Sequence, residues 1–339
     1  MRLLRPLLFV GIVLAVVAAP LRAIERDFKR TFSVQPGCTV KIDTYRGSIV
    51  VTESDQPEVE VTGLMEIGAE TEAEADRIRE ALNLEITEEG NTISVRARNP
   101  RETRVRFVWQ DKYQIDLAWR VRVPRHCNVD LRTLNGGITV GNLTGRVFAR
   151  SETGAIYVKR IDGSVDASTE LGDVIVSRCT GPVKARVLRG TIRVGTVGGR
   201  TELKNFTGDI EVLAAKGDLI AEAEAGDVMV GFPRDFVGEA KVNTSGGSIH
   251  AKIDPAASCR VRASCVWGRI ESLLPLTVES GENGKRSLAG KVGEGASAIT
   301  LHANGGHVKL SPGETYFVET DEPWQKEPQG ESLFLRSKK

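Results

Sequence analysis

With 339 residues, 46 Lys and Arg against 45 Asp and Glu, and a formal net charge of +1, the chain is long enough to bury a large core. It carries no charge surplus that would draw it to nucleic acid or another polyanion. Its 35 glycines and scarcity of helix-favouring runs argue against an α or α/β fold and for many short strands separated by turns, an all-β protein.

Residues 1–23 carry Arg2 and Arg5, an apolar run from Leu7 to Ala19 and the small residue Ala23, the layout of a secretory signal peptide. The run is shorter than the ~20 residues of a membrane span. Cleavage before Ile24 is therefore expected, with an uncleaved anchor as the alternative left open by Pro20 and the imperfect Leu21-Arg22-Ala23 site. Cleavage leaves no integral membrane domain and an exported protein, periplasmic or at the cell surface or secreted. The first cysteine, Cys38, lies too far behind the apolar run to accept a lipid.

Residues 24–123 read as a divergent N-terminal part of a repeat structure. Pro36-Gly37-Cys38-Thr39-Val40-Lys41-Ile42 leads to Gly47-Ser48-Ile49, a pattern that returns later in the chain. One helix is expected at about 70–82, with Ala73, Ala75, Ile78, Ala81 and Leu82 toward one side, acids early and Arg77 and Arg79 late, as the helix dipole favours. Strands follow around the turn Glu89-Gly90-Asn91. The stretch ending at Val123 holds Arg101, Arg104, Arg106, Trp109 and Trp119. Aromatics with arginines have the composition of an interface, so these five are the candidate interaction surface, with packing at the end of the solenoid as the competing reading.

Residues 124–232 hold the decisive pattern. Glycine falls at 136, 145, 154, 163, 172, 181, 190, 199, 208, 217 and 226, a spacing of nine without exception. Two residues past each glycine stands a mostly β-branched residue, from Ile138 and Val147 to Leu219 and Val228. Four residues past it, valine and alanine alternate from Val140 and Ala149 to Ala221 and Val230, with one lapse at Leu203. The true unit is thus 18 residues holding two unlike strands, each with one face buried.

Strand and turn repeated this tightly are satisfied by coiling, which stacks residues 18 apart at ~4.8 Å. The fold expected is a single-stranded parallel β-solenoid, or β-helix, with 18-residue coils and one short N-terminal helix. Outward charges 18 apart fit such stacking: Asp166, Lys184 and Glu202 alternate in sign, as do Arg200 with Asp218 and Lys204 with Glu222, although Asp209 meets Asp227.

Residues 233–312 keep the glycine, any residue, β-branched motif at Gly247, Gly268, Gly290 and Gly306 with longer spacing, so these coils are irregular and carry insertions. The opening pattern returns at Pro124 to Leu131 with Cys127 and at Pro255 to Ala263 with Cys259. Residues 313–339, with Pro323, Trp324 and Pro328, read as a loosely ordered tail.

The opening around Cys38, the helix near residue 75, the array beginning Asn135-Gly136-Gly137-Ile138 and the close at Ile299-Thr300-Leu301-His302-Ala303-Asn304-Gly305-Gly306 resemble the bacterial putative-adhesin family of unknown function, related to toastrack domains of envelope-stress proteins. The resemblance covers about residues 28–312. It implies binding at the surface or in the periplasm, and it brings no catalytic or ligand residue to any position here.

Four functions compete. The first is a non-catalytic, structural or binding protein of the cell envelope, its partner an envelope protein or a glycan. The second, an envelope-stress sensor or regulator of the toastrack kind, differs only in its partner. A carbohydrate-active β-helix enzyme needs paired carboxylates in an aromatic-lined groove, whereas the outward Tyr157 and Phe148 fall on opposite strand types. A calcium β-roll needs Gly-Gly-x-Gly-x-Asp turns, which are missing.

The five cysteines, at 38, 127, 179, 259 and 265, contain no Cys-x-x-Cys pair and read as buried strand residues. His302 and His307 flank a turn without a third metal ligand. No catalytic residue, metal or cofactor is expected. The open ends of a solenoid must be capped or used for assembly, which leaves end-to-end self-association as a further expectation.

Overall fold

The computed structural model describes residues 22–69, 71–98, 115–278 and 286–313, in 26 strands and one helix. Residues 1–21 of the expected signal peptide 1–23, residues 314–339 of the expected tail 313–339, and Arg101, Arg104, Arg106 and Trp109 lie outside the described residues.

The nine-residue spacing becomes two strands per coil. Strands such as Val174–Cys179 and Ile192–Val197 stack in parallel as one face, and Val183–Arg189 and Thr201–Thr207 stack as the other. Pairing joins residues 18 apart, as Val174 with Ile192 and Val183 with Thr201. The chain is a parallel β-solenoid with 18-residue coils.

The valines of the first face and the alanines of the second fill the interior, buried from Val140 and Ala149 to Ala221 and Val230. The lapse at Leu203 is matched on its own strand. Thr201 stands where Val183 and Leu219 flank it, so a smaller residue beside a larger one keeps the layer's volume.

The turns explain the glycines. At Gly190, φ is +142° and a β-carbon would lie 2.1 Å from the carbonyl oxygen of Gly172, one coil away. Buried polar side chains complete these turns: Thr169 Oγ1 donates to the Gly154 carbonyl at 2.9 Å and Asn205 Nδ2 to that of Gly190 at 2.8 Å. The stacked Asp209 and Asp227 are also accounted for, because the Asp209 carboxylate accepts the Asp227 backbone N–H at 2.9 Å, and Asp227 in turn accepts that of Ser248 at 2.8 Å. These carboxylates cap backbone donors. Of the outward charge pairs, Lys204 and Glu222 form an ion pair at 2.7 Å.

At both ends the coils depart from sequence order. The coil of Cys38–Arg46 and Ile49–Ser54 lies between the one of Thr92–Arg98 with Ile115–Pro124 and the one of Cys127–Asn135 with Ile138–Val140. Likewise the last coil, Ser297–Ala303 with Val308–Pro312, lies between Glu239–Thr244 with Ile249–Ile253 and Cys259–Cys265 with Ile270–Ser272. Antiparallel strands finish three of the four sheet ends: Glu58–Ala69 with Arg22–Ser33, Asn83–Glu89, and Ser287–Val292 with Thr277–Val278. The fourth is the three-residue strand Ile270–Ser272.

The helix runs Glu72–Ala81, capped by Thr71, whose Oγ1 accepts the Glu74 N–H at 3.2 Å. It packs against Glu58–Ala69 through Ala75, with Ile78 half-buried, whereas Ala73 is exposed, contrary to the expected face. Arg26 of the edge strand pairs with Glu72 and, at 3.8 Å, with Asp76. Among the described residues no helix is long and apolar enough to cross a membrane.

Candidate functional site

Trp119, a candidate either for an interaction surface or for packing at the end of the solenoid, is wholly buried. Its Nε1 donates to Thr44 Oγ1 at 3.1 Å, and its ring meets Phe28 edge-on with centroids 5.4 Å apart. The reason is period-two alternation: Trp119, Val121 and Val123 point inward while Arg120 and Arg122 alternate with them. Tyr157, read as outward, is also covered, its hydroxyl 3.4 Å from Ser177 Oγ. Phe148 is half-buried beneath the Arg132 guanidinium, 5.1 Å from the ring centroid.

The exposed apolar residues gather elsewhere. Among the described residues, the large hydrophobics left exposed are Leu134, Leu171, Leu188, Phe206, Val237, Val266, Trp267 and Leu273. The register of the second face puts six of these on a single corner. Leu134, Leu188 and Phe206 occupy the position just beyond the stacked Thr133, Val187 and Asn205, and Leu171 occupies the next. The same two positions in the end coil are Val266 and Trp267, whose N–H groups donate to the carbonyls of Ala303 and Asn304, each at 3.0 Å. Nine coil levels separated by ~4.8 Å make this rim about 38 Å long.

At the centre of the rim is a groove of about 450 Å³ lined by Leu188 and Phe206, the basic Arg150, Arg186 and Lys204, and the acidic Glu170, Glu222 and Glu224. Phe206 is 58% exposed and Trp267 80%, unusual for aromatic side chains. Asn205 also lines the groove. Its Nδ2 donates to the carbonyls of Gly190 and Asp209, at 2.8 and 3.1 Å, which fixes the buried amide in the turn beneath the groove.

The signal for this site is present in the sequence as an 18-residue column reading Leu134, Glu152, Glu170, Leu188, Phe206, Glu224, whose apolar members are interrupted by glutamates. Trp267 could not be aligned with it, because the period stretches after residue 230.

A second cluster stands near Trp267. Ser264 Oγ is 2.8 Å from His302 Nδ1, and His302 Nε2 is 2.9 Å from Asn304 Oδ1. The arrangement has the outline of a hydroxyl, a base and an orienting acceptor. However, Ser264 lies in a strand paired on both sides, so the strand's own amides are taken up by the sheet and supply no oxyanion site. The cluster is a polar rung across stacked strands.

His307 Nδ1 accepts the Arg269 N–H at 3.2 Å, and His250 lies 2.8 Å from Ser311 Oγ. Burial, followed by Lys252 and Lys309, lowers the His250 pKa. Among the described residues no three His, Cys, Asp or Glu side chains come together as a metal site.

A family model described as Toastrack DUF4097 matches residues 40–311. No curated protein matches the sequence. Solved structures similar to the chain include a putative adhesin from Bacteroides fragilis, 12% identical with a TM-score of 0.38, covering 84% of this chain and 97% of its own. A putative adhesin from Parabacteroides merdae is 9% identical with a TM-score of 0.42, covering 84% and 96%. A putative lipid binding protein from Parabacteroides distasonis is 12% identical, also at 0.42, with the same coverage. The likeness runs along the whole length of these proteins, and the superposition is loose.

Proposed function

For this chain, which belongs to the Toastrack DUF4097 family, we propose the role of an exported, non-catalytic binding protein of the cell envelope that engages a partner protein along the corner rim. The observation carrying this reading is the alignment of Leu134, Leu171, Leu188, Phe206, Val266 and Trp267 on one edge, although they are far apart in sequence. Among the described residues, six of the eight exposed large hydrophobic side chains stand on this edge.

Its chemistry favours a polypeptide. Basic and acidic side chains share the groove, which works against a polyanion. A glycan groove would call for more stacking rings than Phe206 and Trp267 supply. Segments that carry apolar and charged side chains in alternation match the lining. The regulatory reading differs from this one only in which partner is bound.

The test compares the full chain with a Leu188→Ser/Phe206→Ser/Trp267→Ser variant and with a Val237→Ser control in capture from an envelope extract, followed by affinity measurement on the partner recovered. All four side chains are exposed, so folding should change little. Loss of central apolar anchors is expected to weaken binding by at least about 30-fold, with the control unchanged. Equal binding by the rim variant and the wild type would sink the assignment, and capture of glycan alone would replace the protein partner.

A further inference from the structure

Cys38 and Cys127 head the strands Cys38–Arg46 and Cys127–Asn135, which run parallel and in register, so the two cysteines are direct partners. Both side chains are buried and share a hydrogen bond, with their sulfurs 3.1 Å apart. The adjoining backbone fixes the approach, since the Gly37 N–H donates to the His126 carbonyl at 2.8 Å and Asn128 Nδ2 reaches the Gly37 carbonyl at 3.5 Å.

In-register strands place facing α-carbons about 4.8 Å apart, within the span of roughly 4.4–6.8 Å that a disulfide bridges. Closing the bond requires sulfur movement of about 1 Å, available from side-chain rotation. The other cysteines stack on different residue types: Cys179 between Ile161 and Val197, Cys259 against Ser297, and Cys265 against Ala303.

We propose that Cys38 and Cys127 form a structural disulfide that locks the out-of-order first coil into the array. The chemistry is thiol–disulfide exchange with a low-molecular-weight disulfide such as oxidised glutathione. The thiolate of one cysteine attacks that disulfide and releases one thiol, and the thiolate of the other then displaces the second thiol from the first cysteine's sulfur. Two protons and two electrons leave the cysteines, and the donor disulfide is reduced to two thiols.

The shared hydrogen bond holds the Cys38 pKa below the ordinary cysteine value. That bond and burial push the Cys127 thiol up. Because both sulfurs are shielded once the coil is seated, exchange belongs to the docking of residues 38–54 during folding. The finished bond is then protected from reductant.

The test folds the full chain with oxidised glutathione, unfolds it without reductant, alkylates free thiols and digests with trypsin. The expected result is a reducible cross-link between peptides 31–41 and 126–132, with alkylation confined to Cys179, Cys259 and Cys265. Reduction in denaturant followed by refolding in reductant should lower the melting temperature by on the order of 10 °C in the wild type and leave a Cys38→Ala/Cys127→Ala variant unchanged. Alkylation of both Cys38 and Cys127 in the unreduced protein, or a bridge from either to another cysteine, overturns the pairing. A bond whose reduction leaves the melting temperature unmoved overturns the locking role.

Discussion

A methyl group at Gly190 would stand 2.1 Å from the Gly172 carbonyl oxygen, with φ in the range that β-carbons avoid. Both coils would have to part for it to fit, breaking the hydrogen bond from the Gly190 N–H to Thr207 or those beside it. Gly90 also has a positive φ, +59°, but a β-carbon there meets nothing within 4 Å. Gly190→Ala is therefore expected to cost about 3–5 kcal/mol and Gly90→Ala about 1 kcal/mol, as read from denaturant midpoints. The contrast separates the glycines that permit stacking from those that only permit a turn. In sequence they differ by membership of the nine-residue column, so this much was legible before any coordinates. What each carbonyl beneath them bonds was not, because Thr169 and Asn205 reach across coils to partners 15 residues back.

Strand Ile115–Pro124 shows how a single element is held by its inward side. Trp119 closes over Thr44 of one face and Phe28 of the edge strand, joining three segments that are remote in the chain. Trp119→Ala is expected to cost about 3–5 kcal/mol through the cavity it leaves. Trp119→Phe should cost about 1–2 kcal/mol, mainly from the lost hydrogen bond. Chemical denaturation would check both, and partner capture by the folded protein should not change. A loss of capture without a loss of stability would return Trp119 to the surface role that the sequence suggested. The alternation with Arg120 and Arg122 already carried the inward assignment. The composition of the stretch, tryptophan among arginines, pointed the other way because composition ignores which side of a strand a residue faces.

For the molecule as a unit, the coil is the quantum of length. Removing residues 174–191 takes out one coil and joins Asp173 to Ile192 in the same register, so the protein should still unfold cooperatively, shorter by ~5 Å. Removing only 174–182 puts all later strands on the opposite face, setting valine layers against alanine layers. That protein is expected to lose cooperative unfolding, which calorimetry would reveal. The regular middle was readable because its period is strict. The ends were not, since three copies of the Pro-to-Cys opening announce where coils begin and leave their order in space open. The edge strand Arg22–Ser33 carries Arg26, Asp27, Lys29 and Arg30, a density of charge that opposes pairing with another sheet.

The out-of-order ends also set a timetable for synthesis. A chain emerging from the ribosome can stack its middle coils one upon the last, but strand Cys38–Arg46 must wait for residues 127–135 to find its second neighbour. At the other end, residues 259–272 are made before the coil that will separate them from residues 239–253. They must be kept apart, or prised apart, until residues 297–312 arrive. A nascent chain stalled before residue 297 would carry a finished middle and an unclosed end.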